Sequence, residues 1–306
     1  MTVALGLGTY RIDGERLADA ALRAAGCSPS PGWIDTAPNY CHGHAHRLLS
    51  PALAAYPGVG VGTKVGFLTA TTGRVARAAG VVDEADAVAG HSLNAPYVAW
   101  QMDRNRSELG RQCLDLAFLH NPERTTQPDR LKHQLREGFA VLEAAVDAGH
   151  VASYGVATWG GFTDGAFTVP VLDQLATEAA GTQQHHLRAV QLPVSLVMAD
   201  AFAEALRGRG PIQEAAERGW QVQASAPLHG GELPTVATKE VAALIKPGFS
   251  VAAACVAAVA SCPGVSMVLL SSGVTEHWYE ALATLAEPPI PHENLRTVLD
   301  VLATPV

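Results

Sequence analysis

Short, nearly uninterrupted apolar runs alternate along the chain with longer stretches in which apolar residues return every three or four positions. The runs are Ala4 to Leu7, Trp33 to Thr36, Val59 to Val65, Leu114 to Leu119, Ser153 to Ala157, Ala189 to Leu192, Gln221 to Ala224 and Ser266 to Leu270. Strands of an open antiparallel sheet would alternate apolar and polar residues, whereas parallel strands covered by helices read as continuous apolar segments. Between them lie helix patterns such as Leu135, Phe139, Leu142 and Val146, with Gly149 placed to end the helix in a left-handed turn. Leu17, Ala21 and Ala24 before Gly26 repeat this near the start.

Eight strand-then-helix units in 306 residues are the count of a closed (β/α)8 TIM barrel. The α/β pattern continues without a Pro/Gly/Ser linker or charge run, so residues 1–306 are expected to form a single domain. A doubly wound sheet is the alternative. It needs a glycine-rich phosphate turn leading into a helix, and Gly6-Leu7-Gly8-Thr9-Tyr10 has neither the third glycine nor a helix start.

Composition narrows the class. Charged residues make up 16% of the chain and hydrophobic ones 48%, which excludes a disordered protein. The net charge of −8 leaves no basic footprint for nucleic acid or an anionic membrane, so the expected partner is a small molecule, with no nucleic acid and no membrane. The segment from Pro247 to Thr275 has no charged side chain, but Pro263-Gly264 divides it, so it predicts a buried helix followed by a buried strand. Five scattered cysteines form no even disulfide framework, and the N-terminus has no basic region ahead of an apolar stretch. A reducing, cytoplasmic setting is expected.

In a barrel of this type the chemistry belongs at the C-terminal ends of the strands. Asp35 lies near the end of the second run and Tyr40 follows five residues later; Lys64 lies near the end of the third, and His120-Asn121 directly follow the fourth. A lone Asp or His at such a place is ordinarily a cap or a loop hydrogen-bonder. Together they make a device in which an ammonium assists a phenol as proton donor, a carboxylate keeps that ammonium charged, and a neutral imidazole orients the substrate oxygen.

With Gly6 to Tyr10, Ile34 to Tyr40, Thr63-Lys64, Leu109-Gly110, Leu114 to Leu116, His120, Tyr154 to Val156, Gln191 and Ser271 to Glu280, the chain resembles an aldo-keto reductase over nearly its whole length. The resemblance implies a catalytic tetrad of Asp35, Tyr40, Lys64 and His120. It implies hydride transfer between a nicotinamide dinucleotide and an aldehyde or ketone carbonyl, or the reverse alcohol oxidation. It also implies cofactor contacts at Gly8, Thr9, Thr158, Trp159, Gln191, Ser225, Leu228, Ser271, Ser272, His277 and Glu280. Tyr10, Asn121, Trp159 and His229 would line the substrate pocket.

Departures from the family pattern stand at Trp159, where Asn is common, and at Ala224, where an aromatic ring often stacks on nicotinamide. Ser271 and His277 stand where Lys and Arg often grip a 2′-phosphate. NADP(H) is the favoured cofactor, with NAD(H) left open. Two other readings stay open: a nucleotide-binding regulatory barrel similar to potassium-channel β subunits, and a barrel enzyme using Lys64 as a Schiff-base nucleophile.

Cys41-His42-Gly43-His44-Ala45-His46 has the composition of a short metal-binding tract. It lacks two separated ligand pairs, so it reads as a loop and helix start, and no metal is expected. His185-His186 reads as solvated, and residues 69–94 as a long loop able to cover the site or bind a partner.

Overall fold

Eight parallel strands hydrogen-bond in chain order, and the last pairs with the first to close a barrel. The computed structural model describes residues 3–12, 14–26, 32–125 and 127–303. The strands are β1 (Ala4–Gly8), β2 (Trp33–Asp35), β3 (Gly60–Val65), β4 (Leu116–His120), β5 (Tyr154–Ala157), β6 (Leu187–Pro193), β7 (Gln221–Ser225) and β8 (Met267–Leu270). Each falls on one of the eight apolar runs, and the architecture is the expected (β/α)8 barrel.

The two faces of this sheet bury different things, as the two-residue strand period requires. Ile34, Val61, Val65, Ala117, Leu119, Val156, Val190 and Val222 point outward into one large core shared with the surrounding helices. Leu116, Phe118, Ala157 and Ala189 form a separate small cluster around Trp33 inside the barrel. Glycines make room for it. A β-carbon at Gly60 would lie 2.6 Å from the Trp33 ring, and one at Gly155 would lie 2.5 Å from the Ala189 carbonyl oxygen and 2.8 Å from Phe118. Two residues further along the same strands, the inward register delivers Asp35, Lys64, His120 and Gln191. The apolar plug therefore forms the floor beneath a polar layer.

The outer helices follow their sequence signals. Leu131–Asp147 buries Leu135, Phe139 and Leu142, and Gly149 ends it at φ 69°. The uncharged segment forms the buried helix Val251–Ala260, capped by the Ser250 side chain, and then β8. No helix among the described residues is long and apolar enough to cross a membrane.

Two expectations are corrected. Residues 69–94 are not one long loop. They carry the helices Ala70–Ala78 and Glu84–Ala89, capped by Thr69 and Asp83, with a satellite core of Leu68, Ala76, Val82 and Tyr97. Thr and Asp stand at positions where a side chain can accept a first-turn amide, a signal the sequence reading passed over. Nor is His185-His186 a solvated pair. His185 is buried, with Nε2 2.9 Å from Asp173 Oδ1, and His186 Nδ1 lies 2.7 Å from Glu143 Oε2. Tyr154 donates to the same carboxylate at 2.7 Å. Burial alone would raise the Glu143 pKa, but the hydrogen bonds from His186 and Tyr154 outweigh it and hold the carboxyl below its usual range.

Candidate active site

At the C-terminal mouth, Lys64 is fully buried and donates to Asp35 Oδ2 at 2.7 Å and to the Thr36 carbonyl at 3.0 Å. Gln191 Nε2 donates to the other carboxylate oxygen at 2.8 Å, so three strands converge on Asp35. Burial pulls the Lys64 pKa below its ordinary value, and the Asp35 charge opposes that. The backbone here is fixed as well: Thr9 donates to the Asp35 carbonyl at 2.9 Å, and Asn105 to the Lys64 carbonyl at 2.9 Å.

The Lys64 ammonium also lies 5.0 Å from the centroid of the Tyr40 ring. Tyr40 sits on the turn Tyr40–Gly43, where Cys41 and His42 take left-handed φ values of 48° and 55°. Its ring is 6.2 Å from that of His120 and 5.2 Å from that of Tyr10. The phenol is not lowered by its neighbour. Burial first, and then the negative charge of Asp35 and the neighbouring Tyr10, push its pKa well above the ordinary value.

His120 is buried beneath Phe67, whose ring centroid is 4.7 Å away. Burial and the Lys64 charge drive its pKa well below the ordinary histidine value, so the imidazole is neutral. Its Nδ1 is buried without a hydrogen-bond partner, which leaves ring capacity uncommitted beside Tyr40. From behind, His91 Nε2 donates to the His120 carbonyl at 2.8 Å.

Other expected positions distribute around this layer. Tyr10 and Trp159 are about half exposed at the rim, and the Trp159 amide donates to Glu123 Oε1 at 2.9 Å. Asn121 takes a left-handed φ of 46°, and His229 one of 48° with a buried, unpartnered Nδ1. The Thr158 hydroxyl accepts from the Gly161 amide at 2.8 Å. Ala224 is fully buried in the outer core, so the inward place at the end of β7 belongs to Ser225, not to the residue before it. The Glu280 carboxylate accepts from Ser250 at 2.7 Å and is absent from the lining of the nearby cavity.

That cavity, of about 330 Å³, is lined by Leu228, Leu270, Ser271, Ser272, Gly273 and His277 together with Arg11, Ile12, Arg16 and Gly231. Among the described residues no carboxylate lines it. Gly8 matters beside it, since a β-carbon there would lie 2.6 Å from the Ser271 hydroxyl. Hydroxyls, an imidazole and guanidinium groups around a bare backbone form a donor set suited to the phosphates of a dinucleotide.

The Cys41–His46 tract does not converge. Cys41 Sγ donates to the Ile12 carbonyl at 3.2 Å, and His46 is buried against the Thr63 hydroxyl at 2.9 Å. No cluster of three or more His, Cys, Asp or Glu suited to a metal occurs among the described residues.

Sequence reading missed Gln223, which is buried and accepts from Gln191 at 3.1 Å, along with Asn105, His91 and the two arginines of the cavity. A polar side chain inside an otherwise apolar strand could have flagged Gln223. Arg11 and Arg16 flank the exit of β1 in an acidic chain, which is a fainter signal.

The Aldo/keto reductase family model matches residues 4–301. The chain belongs to the aldo/keto reductase family. Its barrel is similar to solved members at low identity. The glycerol dehydrogenase of Gluconobacter oxydans has 18% identity and TM-score 0.68, over 99% of this chain and 93% of that one. An aldo/keto reductase of Klebsiella pneumoniae, solved with NADP and acetate, has 20% identity and TM-score 0.66, over 99% and 92%. The holo aldo-keto reductase of Bacillus halodurans has 16% identity and TM-score 0.67, over 98% and 92%. No curated protein sequence matches the chain.

Proposed function

We propose that this aldo/keto reductase reduces the carbonyl of a small aldehyde or ketone with NADP(H), or runs the reverse alcohol oxidation. The observation that carries the reading is the buried Lys64–Asp35 pair at 2.7 Å, with Tyr40 and the neutral His120 facing the same space. A solved relative that holds NADP supports the choice of cofactor.

When bound, the nicotinamide supplies the hydride; the chain supplies everything else. Tyr40 stays protonated through the neutral pH range because burial and Asp35 disfavour its phenolate, so the ground state holds the proton that the substrate oxygen must receive. As hydride reaches the carbonyl carbon, negative charge grows on the oxygen. Donation from Tyr40 and the fixed positive charge of Lys64 stabilise the transition state more than the neutral substrate. Asp35 and Gln191 hold Lys64 in place, and neutral His120 contributes a hydrogen bond that adds no competing charge. Thr158, Trp159, Gln191 and Ser225 would hold the nicotinamide end. Tyr10, Asn121, Trp159 and His229 would contact substrate at the rim. A Schiff-base role for Lys64 is disfavoured because its nitrogen is committed to Asp35 and Thr36.

The test is Tyr40→Phe. Loss of general-acid help lowers kcat about 10²- to 10⁴-fold. Nucleotide binding, followed by fluorescence, is expected to stay near wild type. Carbonyl-dependent oxidation of NADPH at an unchanged rate would remove Tyr40 from the mechanism. Tight nucleotide binding by the wild type without turnover on any carbonyl would favour the regulatory barrel.

A further inference from the structure

We propose that Arg11 and Arg16 form a phosphate clamp, and that these two residues, on the β1 side of the mouth, supply the cations that select the 2′-phosphate of NADP(H). The inference rests on the reading of the protein as a nicotinamide-dinucleotide enzyme.

Four observations carry it. The chain has 29 acidic against 21 basic side chains, yet its cavity of about 330 Å³ presents two guanidinium groups and an imidazole, with no carboxylate among the described residues that line it. Among the described residues neither arginine has an ion-pair partner, so two cations face one space uncompensated. Missing side chains make room for both: a β-carbon at Gly273 would lie 2.8 Å from Arg16 Cβ, and one at Gly230 would lie 2.8 Å from Nη1 of the Arg11 guanidinium. Arg11 also holds a left-handed φ of 61°, a conformation that non-glycine residues rarely adopt without a reason.

The ligand chemistry follows from the donors. Two guanidinium groups offer planar forks that match a tetrahedral dianion, and Ser271 and Ser272 add hydroxyl donors to the same cavity. Ser272 Oγ lies 3.0 Å from His277 Nδ1 and holds that ring at the rim. Position along the barrel agrees. Leu7 pairs with Leu270 and Gly8 with Asp35, so the cavity flanks the strand next to the Asp35–Lys64 pair, leaving one dinucleotide able to reach both. Serine stands at 271 and histidine at 277 on the β8 side, and the two arginines are the permanent cations among the described lining residues.

A dinucleotide carries phosphate in two places, the ribose 2′-position and the bridge, and the experiment separates them. Dissociation constants for NADPH, NADH and adenosine 2′,5′-bisphosphate are measured by fluorescence and calorimetry on wild type, Arg11→Ala, Arg16→Ala and the double variant. Both side chains are exposed, and circular dichroism checks that the variants fold. Each single variant is expected to bind NADPH and the bisphosphate about tenfold more weakly, the scale of one lost charge-assisted contact, with NADH changed less than about threefold. Equal weakening of NADPH and NADH would keep the clamp and move it to the bridging phosphates, overturning the 2′-assignment. Unchanged NADPH binding in the double variant would overturn the clamp while leaving the reductase reading intact. A wild type that binds the bisphosphate but neither dinucleotide would overturn that reading, and loss of the bisphosphate in the double variant would still sustain the clamp. Failure of the wild type to bind the bisphosphate would overturn the clamp.

Discussion

Replacing Lys64 by methionine isolates the energetics of the buried pair, because it removes the charge and keeps most of the apolar stem. The ammonium is buried 2.7 Å from Asp35 Oδ2, so the variant leaves a carboxylate in the barrel interior facing no cation. Breaking a buried pair on one side costs about 3–5 kcal/mol. Gln191 still donates to Asp35 Oδ1 at 2.8 Å and compensates part of the charge, so the expected loss is near about 3 kcal/mol. At about 2 °C per kcal/mol for a large domain, the fall in Tm is about 6 °C. The double variant Asp35→Asn/Lys64→Met removes both charges and is expected to recover at least half of that loss. Thermal and urea melts of the three proteins make the measurement. A double variant less stable than K64M, or a K64M deficit under about 1 kcal/mol, would refute the argument that charge burial dominates at this position.

Further predictions concern pH, packing and positioning. Because His120 is driven below its ordinary pKa of 6.5 and Tyr40 above 10.0, kcat for carbonyl reduction is expected to stay flat from pH 6.5 through neutrality, and a decline on the alkaline side belongs to Lys64, whose pKa burial lowers; an inflection near pH 7 would show a titrating His120 or Tyr40. Glu143 is held below its ordinary 4.5, so its contribution to stability is present above that pH and lost as pH falls through the folded value. Glu143→Gln is expected to cost about 1.5–3 kcal/mol at pH 7 and to flatten the acid limb of the Tm profile; an unchanged limb would discount the network with His186 and Tyr154. Gly155→Ala is expected to destabilise by about 1–3 kcal/mol or more, since its β-carbon would meet the Ala189 carbonyl at 2.5 Å, and a denaturation midpoint equal to wild type would count against the tight floor. His91→Ala is expected to lower kcat with little change in KM, because His91 positions the His120 backbone without facing substrate; a change confined to KM would contradict that role.

The sequence by itself determined the barrel, because eight apolar runs separated by helical periodicity have few other ways to bury both faces of each strand. It also located the polar layer at the mouth, since the residue near a strand end is set by local register: Asp35 and His120 close β2 and β4, and Lys64 stands one place before the end of β3. Contacts across the barrel were decided only by tertiary structure. Gln191 reaches Asp35 from 156 positions away, and no local pattern records that approach. The same holds for His185 and His186, polar residues whose partners lie on other elements. The inward or outward direction of Ala224 and Ser225 was likewise invisible, because a one-residue difference in register exchanges core for mouth. The assembly of Arg11 and Arg16 with Ser271, Ser272 and His277 follows from barrel closure itself, which lays β8 beside β1 and joins the two ends of the chain in one cavity.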